Sequence, residues 1–163
     1  MLWRAAIFIG MFALLQGLYG AAKDTWVERL VIDQVTVKSA AWLIHMFDST
    51  TGVQAVGSRL HAPGGGINII NGCEGIDVVF LMVGAMLVAP ISVRAKLLGV
   101  ILGTALVLML NQGRVIALFY AFRLDRSLFD MLHGVIAPLL LIMGAAGFFV
   151  LWLHRHADAK PMP

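Results

Sequence analysis

Apolar and polar positions fall in long blocks along this chain. Leu2 to about Tyr19 is apolar except for Arg4 and Gln16. Ile76 to Val93 is mostly apolar, is interrupted at Pro90, and is followed by Arg94 and Lys96. Leu97 to about Phe122 is mostly apolar but contains Asn111 and Arg114, and Val135 to Leu153 closes the series with Pro138 near its start. A helix needs about 20 apolar residues to cross a bilayer, so the blocks predict four membrane-spanning helices. The stretch between the first two blocks has a different grain. In Lys23 to Asp48, Val27, Leu30, Val31 and Val35 recur at helical spacing among Glu28, Arg29, Asp33 and Lys38. That is the signature of an amphipathic helix, here one lying on or dipping into the outer membrane surface. Trp26 and Trp42 suit headgroup depth. Two short β-compatible runs, Val53–Leu60 and Ile67–Asn71, flank Pro63-Gly64-Gly65-Gly66 and predict a small hairpin.

Composition supports a membrane setting. The chain is 60% hydrophobic and 13% charged, with a mean hydropathy of +0.89, whereas soluble domains carry about 25% charged residues. The expected fold class is therefore an all-α integral membrane protein with about four transmembrane helices, an outer amphipathic helix and a small β-hairpin. At this length residues 1–163 form one domain, and its constant partner is the lipid bilayer. A formal net charge of +3 without a dense basic cluster gives no support for nucleic acid as a partner. A rival reading of the first block is a cleaved signal peptide, with Arg4 as its basic start and Gly20-Ala21-Ala22 as its cleavage site. Arg4, Arg94, Lys96, Arg155 and Lys160 would all face the cytoplasm if both termini do, which puts Lys23–Gly72 outside. The segments on the other side hold as many basic residues, Lys23, Arg29, Lys38 and Arg59 in one and Arg123 and Arg126 in the other. The polar tail 154–163 is expected to be cytoplasmic and flexible, and His154 and His156 read as solvated residues rather than metal ligands. No cofactor is expected.

With that topology the single cysteine gains interest. Asn71-Gly72-Cys73-Glu74-Gly75-Ile76 leads from the hairpin into the second span, at its outer end. Arg114 lies roughly 25 Å along a helix that starts on the inner side near Leu97, so it also approaches the outer boundary. His133 just precedes the fourth span. Three residue types that chemistry can use thus fall at one depth on three helices. Each has a bland alternative: an inert buried cysteine, an arginine that snorkels, an interfacial histidine. His45 and His61 are further outer-side candidates. If the group is functional, a helix N-terminus and a neighbouring cation would lower the Cys73 pKa, while Glu74 and Asp77 would raise it. Histidine moves protons near neutral pH, and arginine can hold a carbonyl or a developing oxyanion.

Cys73-Glu74-Gly75, then Asn111-Gln112-Gly113-Arg114-Val115, then Phe129-Asp130-Met131-Leu132-His133 resemble the exosortase/archaeosortase family of membrane cysteine transpeptidases. The likeness runs from about Gly66 to Trp152. The short chain and Asn-Gly-Cys-x-Gly-Ile resemble the compact exosortase H type in particular. Glu74 replaces the Ser or Ala of many members, Val115 replaces Ile, and the aromatic residues that often follow the His are absent. The resemblance implies a cysteine endopeptidase/transpeptidase of the bacterial cytoplasmic (inner) membrane, multi-pass, with its active site on the outer face. Its partners would be exported proteins bearing a C-terminal motif, a transmembrane helix and a basic tail. It implies Cys73, Arg114 and His133 as catalytic residues, with Asn111, Gly75 and Asn71 in support. The competing reading is a non-enzymatic membrane assembly or anchoring subunit with a structural Cys73.

Overall fold

The computed structural model describes residues 2–70 and 72–156. The expected role of Asn71 and most of the tail expectation therefore lie outside the described residues. Among the described residues, three helices are long and apolar enough to cross a membrane: α1 (Leu2–Ala21), α5 (Val93–Leu124) and the continuous helix Arg126–His156. The last comprises α6 (Arg126–Met131), a π-helical turn (Leu132–Ile136) and α7 (Ala137–His156). The second apolar block yields only α4, Ile76–Val88, with 13 residues. At 1.5 Å per residue α4 covers roughly 20 Å, short of a full hydrocarbon crossing. Against the expected count of about four transmembrane helices, the described residues hold three helices of spanning length and one shorter apolar helix, α4.

The local causes are visible in the sequence. Gly75 holds the N-cap of α4 in the left-handed region, φ 78°. Its far end stops at Val88 because Pro90 follows two residues later and disfavours helix in the residue before it. Ser92 then starts α5 by accepting a hydrogen bond from the Ala95 amide, 3.3 Å. That cap begins α5 at Val93, four residues earlier than the hydropathy boundary. With 32 residues, α5 is roughly 48 Å long and outruns any bilayer core. The fourth block likewise starts earlier, at Arg126, where Asp125 caps the Ser127 amide at 2.8 Å.

Two cores stack along α5. The lower one joins α4, α5 and α7 through Val78, Val79, Met82, Met86, Val107, Leu141 and Ala145. Small residues let these helices approach, as in membrane bundles generally. A Cβ on Gly103 would lie 2.9 Å from Met82 and 3.1 Å from Phe148. α1 packs along α4, where Phe8 sits against Gly84. At the lower end Trp152 Nε1 donates to the Ala95 carbonyl, 3.0 Å. Arg4, Pro90 and Lys96 line one cleft there. Arg4, Lys96 and the end of α7 therefore share one end of the bundle.

The upper core caps the other end. α2 (Trp26–Arg29), a π-helical segment (Leu30–Lys38) and α3 (Ser39–Phe47) run as one bent helix over the upper half of α5. Its buried face is Ile32, Thr36, Val37, Ala40 and Ile44. That differs from the anticipated stripe, since Leu30 and Val35 are exposed. The five-residue steps of the π segment, with Thr36 Oγ1 donating to the Val31 carbonyl at 2.9 Å, rotate the face. Trp26 and Trp42 are exposed. The β region has three short strands rather than two. β1 (Gln54–Val56), β2 (Arg59–His61) and β3 (Ile67–Asn68) form an antiparallel sheet in that order. The run Val53–Leu60 is itself a hairpin, with Val56 paired to Arg59 across Gly57-Ser58. Gly57, at φ 56°, takes the first turn position that a two-residue hairpin wants left-handed. The Pro-Gly-Gly-Gly loop then joins β2 to β3. Arg123 of α5 pins it by donating to the Pro63 carbonyl at 3.1 Å.

Candidate active site

Cys73 sits where the two cores meet. Leaving β3, the chain turns through Gly72 (φ 91°) and Gly75 (φ 78°) before α4 begins. The Cys73 amide donates to the Ile70 carbonyl, 3.0 Å. The side chain packs into the upper core with Ile69, Val115, Leu118 and Phe119 and is buried. Gly75 lies directly on Asn111 of α5. A Cβ there would stand 2.9 Å from Asn111 Cγ and 3.0 Å from its Oδ1. This contact fixes the cysteine loop against α5 and explains why Gly75 and Asn111 belong together despite their separation in sequence.

Arg114 lies one turn above Asn111. Its positive charge reaches Cys73 and acts to lower the thiol pKa, but burial dominates and pushes the thiol up, with Glu74 adding to the rise. The expected activation by a helix N-terminus is not met in this resting arrangement: Cys73 precedes the N-cap Gly75 by two residues. The thiol is therefore protonated at neutral pH, and a nucleophilic role requires a proton acceptor. His133 stands on the π-helical turn beside α5, stacked on Phe129 with ring centroids 5.4 Å apart and planes 6° apart. Phe129 and Leu132 pack against the core that holds Cys73. His45 and His61 are exposed, as the first sits near the end of α3 and the second on a strand.

Unpartnered polar atoms collect in this region. Among the described residues, six buried side-chain atoms have no hydrogen-bond partner in the protein: Tyr19 Oη, Glu74 Oε2, Asn111 Oδ1, Gln112 Oε1, Arg114 Nε and His133 Nδ1. They belong to α1, the cysteine loop, α5 and the π-helical turn. Buried polar groups are ordinarily satisfied by protein, water, an ion or a ligand, and a catalytic role is one further use for such atoms. Sequence reasoning singled out Asn111, Arg114 and His133 but gave no part to Tyr19 and Gln112. Glu74 is among the largest fully buried side chains, and burial pushes its carboxyl above its ordinary value. Tyr19 faces Glu74 from the end of α1, short of strict hydrogen-bond geometry. Two contacts bring α1 there: Gln16 Nε2 donates to Asp77 Oδ1 at 2.9 Å, and Tyr19 meets Phe80 edge-on. Gln16, the polar break in the C-terminal half of the first apolar block, was the available signal. Gln112 ties α5 to the upper helix by donating to the Val35 carbonyl, 2.9 Å.

Comparison with known proteins gives one match. A family model described as transmembrane exosortase covers residues 1–152. No curated protein and no solved structure matches the chain.

Proposed function

This chain belongs to the transmembrane exosortase family, and we propose on that footing that it is a cysteine protease/transpeptidase. Its substrates in this reading are exported proteins that end in a sorting motif, a transmembrane helix and a basic tail. The cut is made at the outer face of the bacterial inner membrane. One observation carries the residue assignment: the unpartnered atoms of Arg114 and His133 lie buried on segments that flank a buried thiol.

The chemistry follows from the electrostatics. Cys73 Sγ attacks the scissile carbonyl carbon while its proton passes to His133, since burial holds the thiol protonated until then. A C–S bond forms, and the carbonyl oxygen becomes an oxyanion that Arg114 holds by directed hydrogen bonds. The amide C–N bond then breaks, and the leaving amine takes the proton from His133. The thioester is released to water or to an acceptor nucleophile. Gly75 and Asn111 position the cysteine loop on α5.

Cys73→Ala and His133→Ala, each compared with wild type at matched membrane levels, should abolish processing of a co-expressed signal-bearing protein. Processing that survives in purified, reconstituted Cys73→Ala protein would rule out covalent catalysis by Cys73, and a purified wild-type protein that processes nothing would favour the assembly-subunit reading.

A further inference from the structure

Beside Arg114, α5 and the α6–α7 helix part to leave a cavity of about 230 Å³. Leu110, Gly113 and Ala117 of α5 line it with Arg114, at the i, i+3, i+4, i+7 spacing of one helix face. Leu132, Leu140 and Leu141 close the opposite wall. Arg114 is the only polar residue in the lining, and the mouth residues Gly113, Ala117 and Leu140 are exposed. A Cβ on Gly113 would meet nothing within 4 Å, so the glycine leaves open space that packing does not require.

We propose that this cavity is a specificity pocket for an apolar side chain of the substrate, that of the residue whose carbonyl Cys73 attacks. The inference rests on the transpeptidase reading above and adds to it the size and polarity of one substrate residue. Arg114 borders the cavity and also acts on the Cys73 thiol. A carbonyl held by Arg114 and facing Cys73 carries its own side chain only two bonds away, next to this cavity. An apolar cavity of about 150 Å³ holds a benzene ring, so 230 Å³ takes a large aliphatic or aromatic side chain. With one cation and no second hydrogen-bonding side chain in the lining, the cavity suits a peptide carbonyl beside an apolar group better than a multiply charged headgroup. Its opening between helices admits a substrate from the bilayer side, where a polypeptide anchored by its own helix already lies.

The test uses the full-length protein in detergent and peptidyl chloromethyl ketones that differ only in the terminal residue, Ala, Leu, Phe or 2-naphthylalanine. Each alkylates a thiolate with loss of chloride, and Cys73 is the only thiol in the chain. Labelling rates of Cys73 are read by intact mass. Leu and Phe probes should react about tenfold or more faster than Ala in wild type, the discrimination expected of a few methylenes in an apolar pocket. Gly113→Leu, which fills the mouth, should cut the Phe-to-Ala ratio about tenfold. Leu140→Ala, which enlarges the pocket, should raise the naphthylalanine-to-Phe ratio. Opposite shifts from filling and enlarging cannot come from general loss of structure. A flat preference in wild type, or ratios unchanged in both variants, would overturn the pocket and leave the crevice as a lipid-facing surface. The transpeptidase reading fails by a different result, signal processing that persists in Cys73→Ala.

Discussion

Replacing Gly75 by Ala should damage this protein more than any other single methyl group added at the cysteine loop. Two costs combine. Gly75 sits at φ 78°, where a residue with a Cβ loses about 1–2 kcal/mol. The new Cβ also meets Asn111 Cγ at 2.9 Å, Oδ1 at 3.0 Å and Cβ at 3.1 Å. Turning the Asn111 side chain relieves the first two contacts but not the third, which is fixed to the α5 backbone. Overpacking of this kind costs about 1–3 kcal/mol. Together the loss should be about 2–5 kcal/mol, and the cysteine loop should lift from α5. Denaturant unfolding in mixed micelles measures the first effect, and the rate of Cys73 labelling by a small maleimide measures the second. Asn111→Ala in the Gly75→Ala background should restore part of the stability, because it removes Cγ and Oδ1 and leaves the backbone strain and the Cβ contact. Gly113→Ala is the matched control: nothing stands within 4 Å of its Cβ and its φ is not positive. There Ala should stabilise α5 by about 0.5–1 kcal/mol. A Gly75→Ala protein within about 0.5 kcal/mol of wild type, with unchanged labelling, would refute the contact as the loop's anchor.

Other expectations follow from the same geometry. Arg114→Lys keeps the charge but loses the planar fork, so processing should fall about 100- to 1,000-fold, nearly as far as for Ala. Rates within a few-fold of wild type would leave only a charge effect, and Asn111→Ala should lie between the two. Burial raises the Glu74 carboxyl above its ordinary value, so its ionisation opposes folding. Stability should therefore fall as pH rises from the ordinary glutamate pKa through the raised folded value, and Glu74→Gln should abolish that slope in pH-dependent unfolding. The same variant should keep activity at higher pH than wild type, since no carboxylate then forms beside Cys73; an identical pH–rate profile would count against this. A reporter fused after Lys96 should behave as cytoplasmic, and an exported signal there would invert the proposed sidedness of the site.

How far the sequence led depends on the range of the interactions involved. The long apolar blocks that became α1, α5 and α7 were legible because hydropathy over about 20 residues is a local property. The shortening of α4 was less so, as it depends on a left-handed Gly75 at one end and on Pro90 at the other. The buried face of the upper helix was misplaced because the π-helical steps around Thr36 break the 3.6-residue period. The hairpin at Gly57-Ser58 was hidden inside an apolar run whose turn signal is a single glycine. Cys73, Arg114 and His133 were singled out as candidates from order and depth, yet nothing local reveals that Gly75 rests on Asn111, 36 residues away in sequence (111 − 75). Tyr19 and Glu74 meet only because α1 packs back onto α4. Such pairings are long-range, and no periodicity reports them.

The central claim, that Cys73 forms a thioester with the substrate, is tested most directly by trapping that bond. Wild-type protein reconstituted in vesicles is mixed with an exported protein bearing the C-terminal signal, quenched in acid and weighed intact. The account predicts an adduct equal to the substrate's N-terminal fragment, located at Cys73, released by hydroxylamine and absent in Cys73→Ala. Processing of the substrate by Cys73→Ala, or a hydroxylamine-sensitive adduct on any other residue, would contradict it.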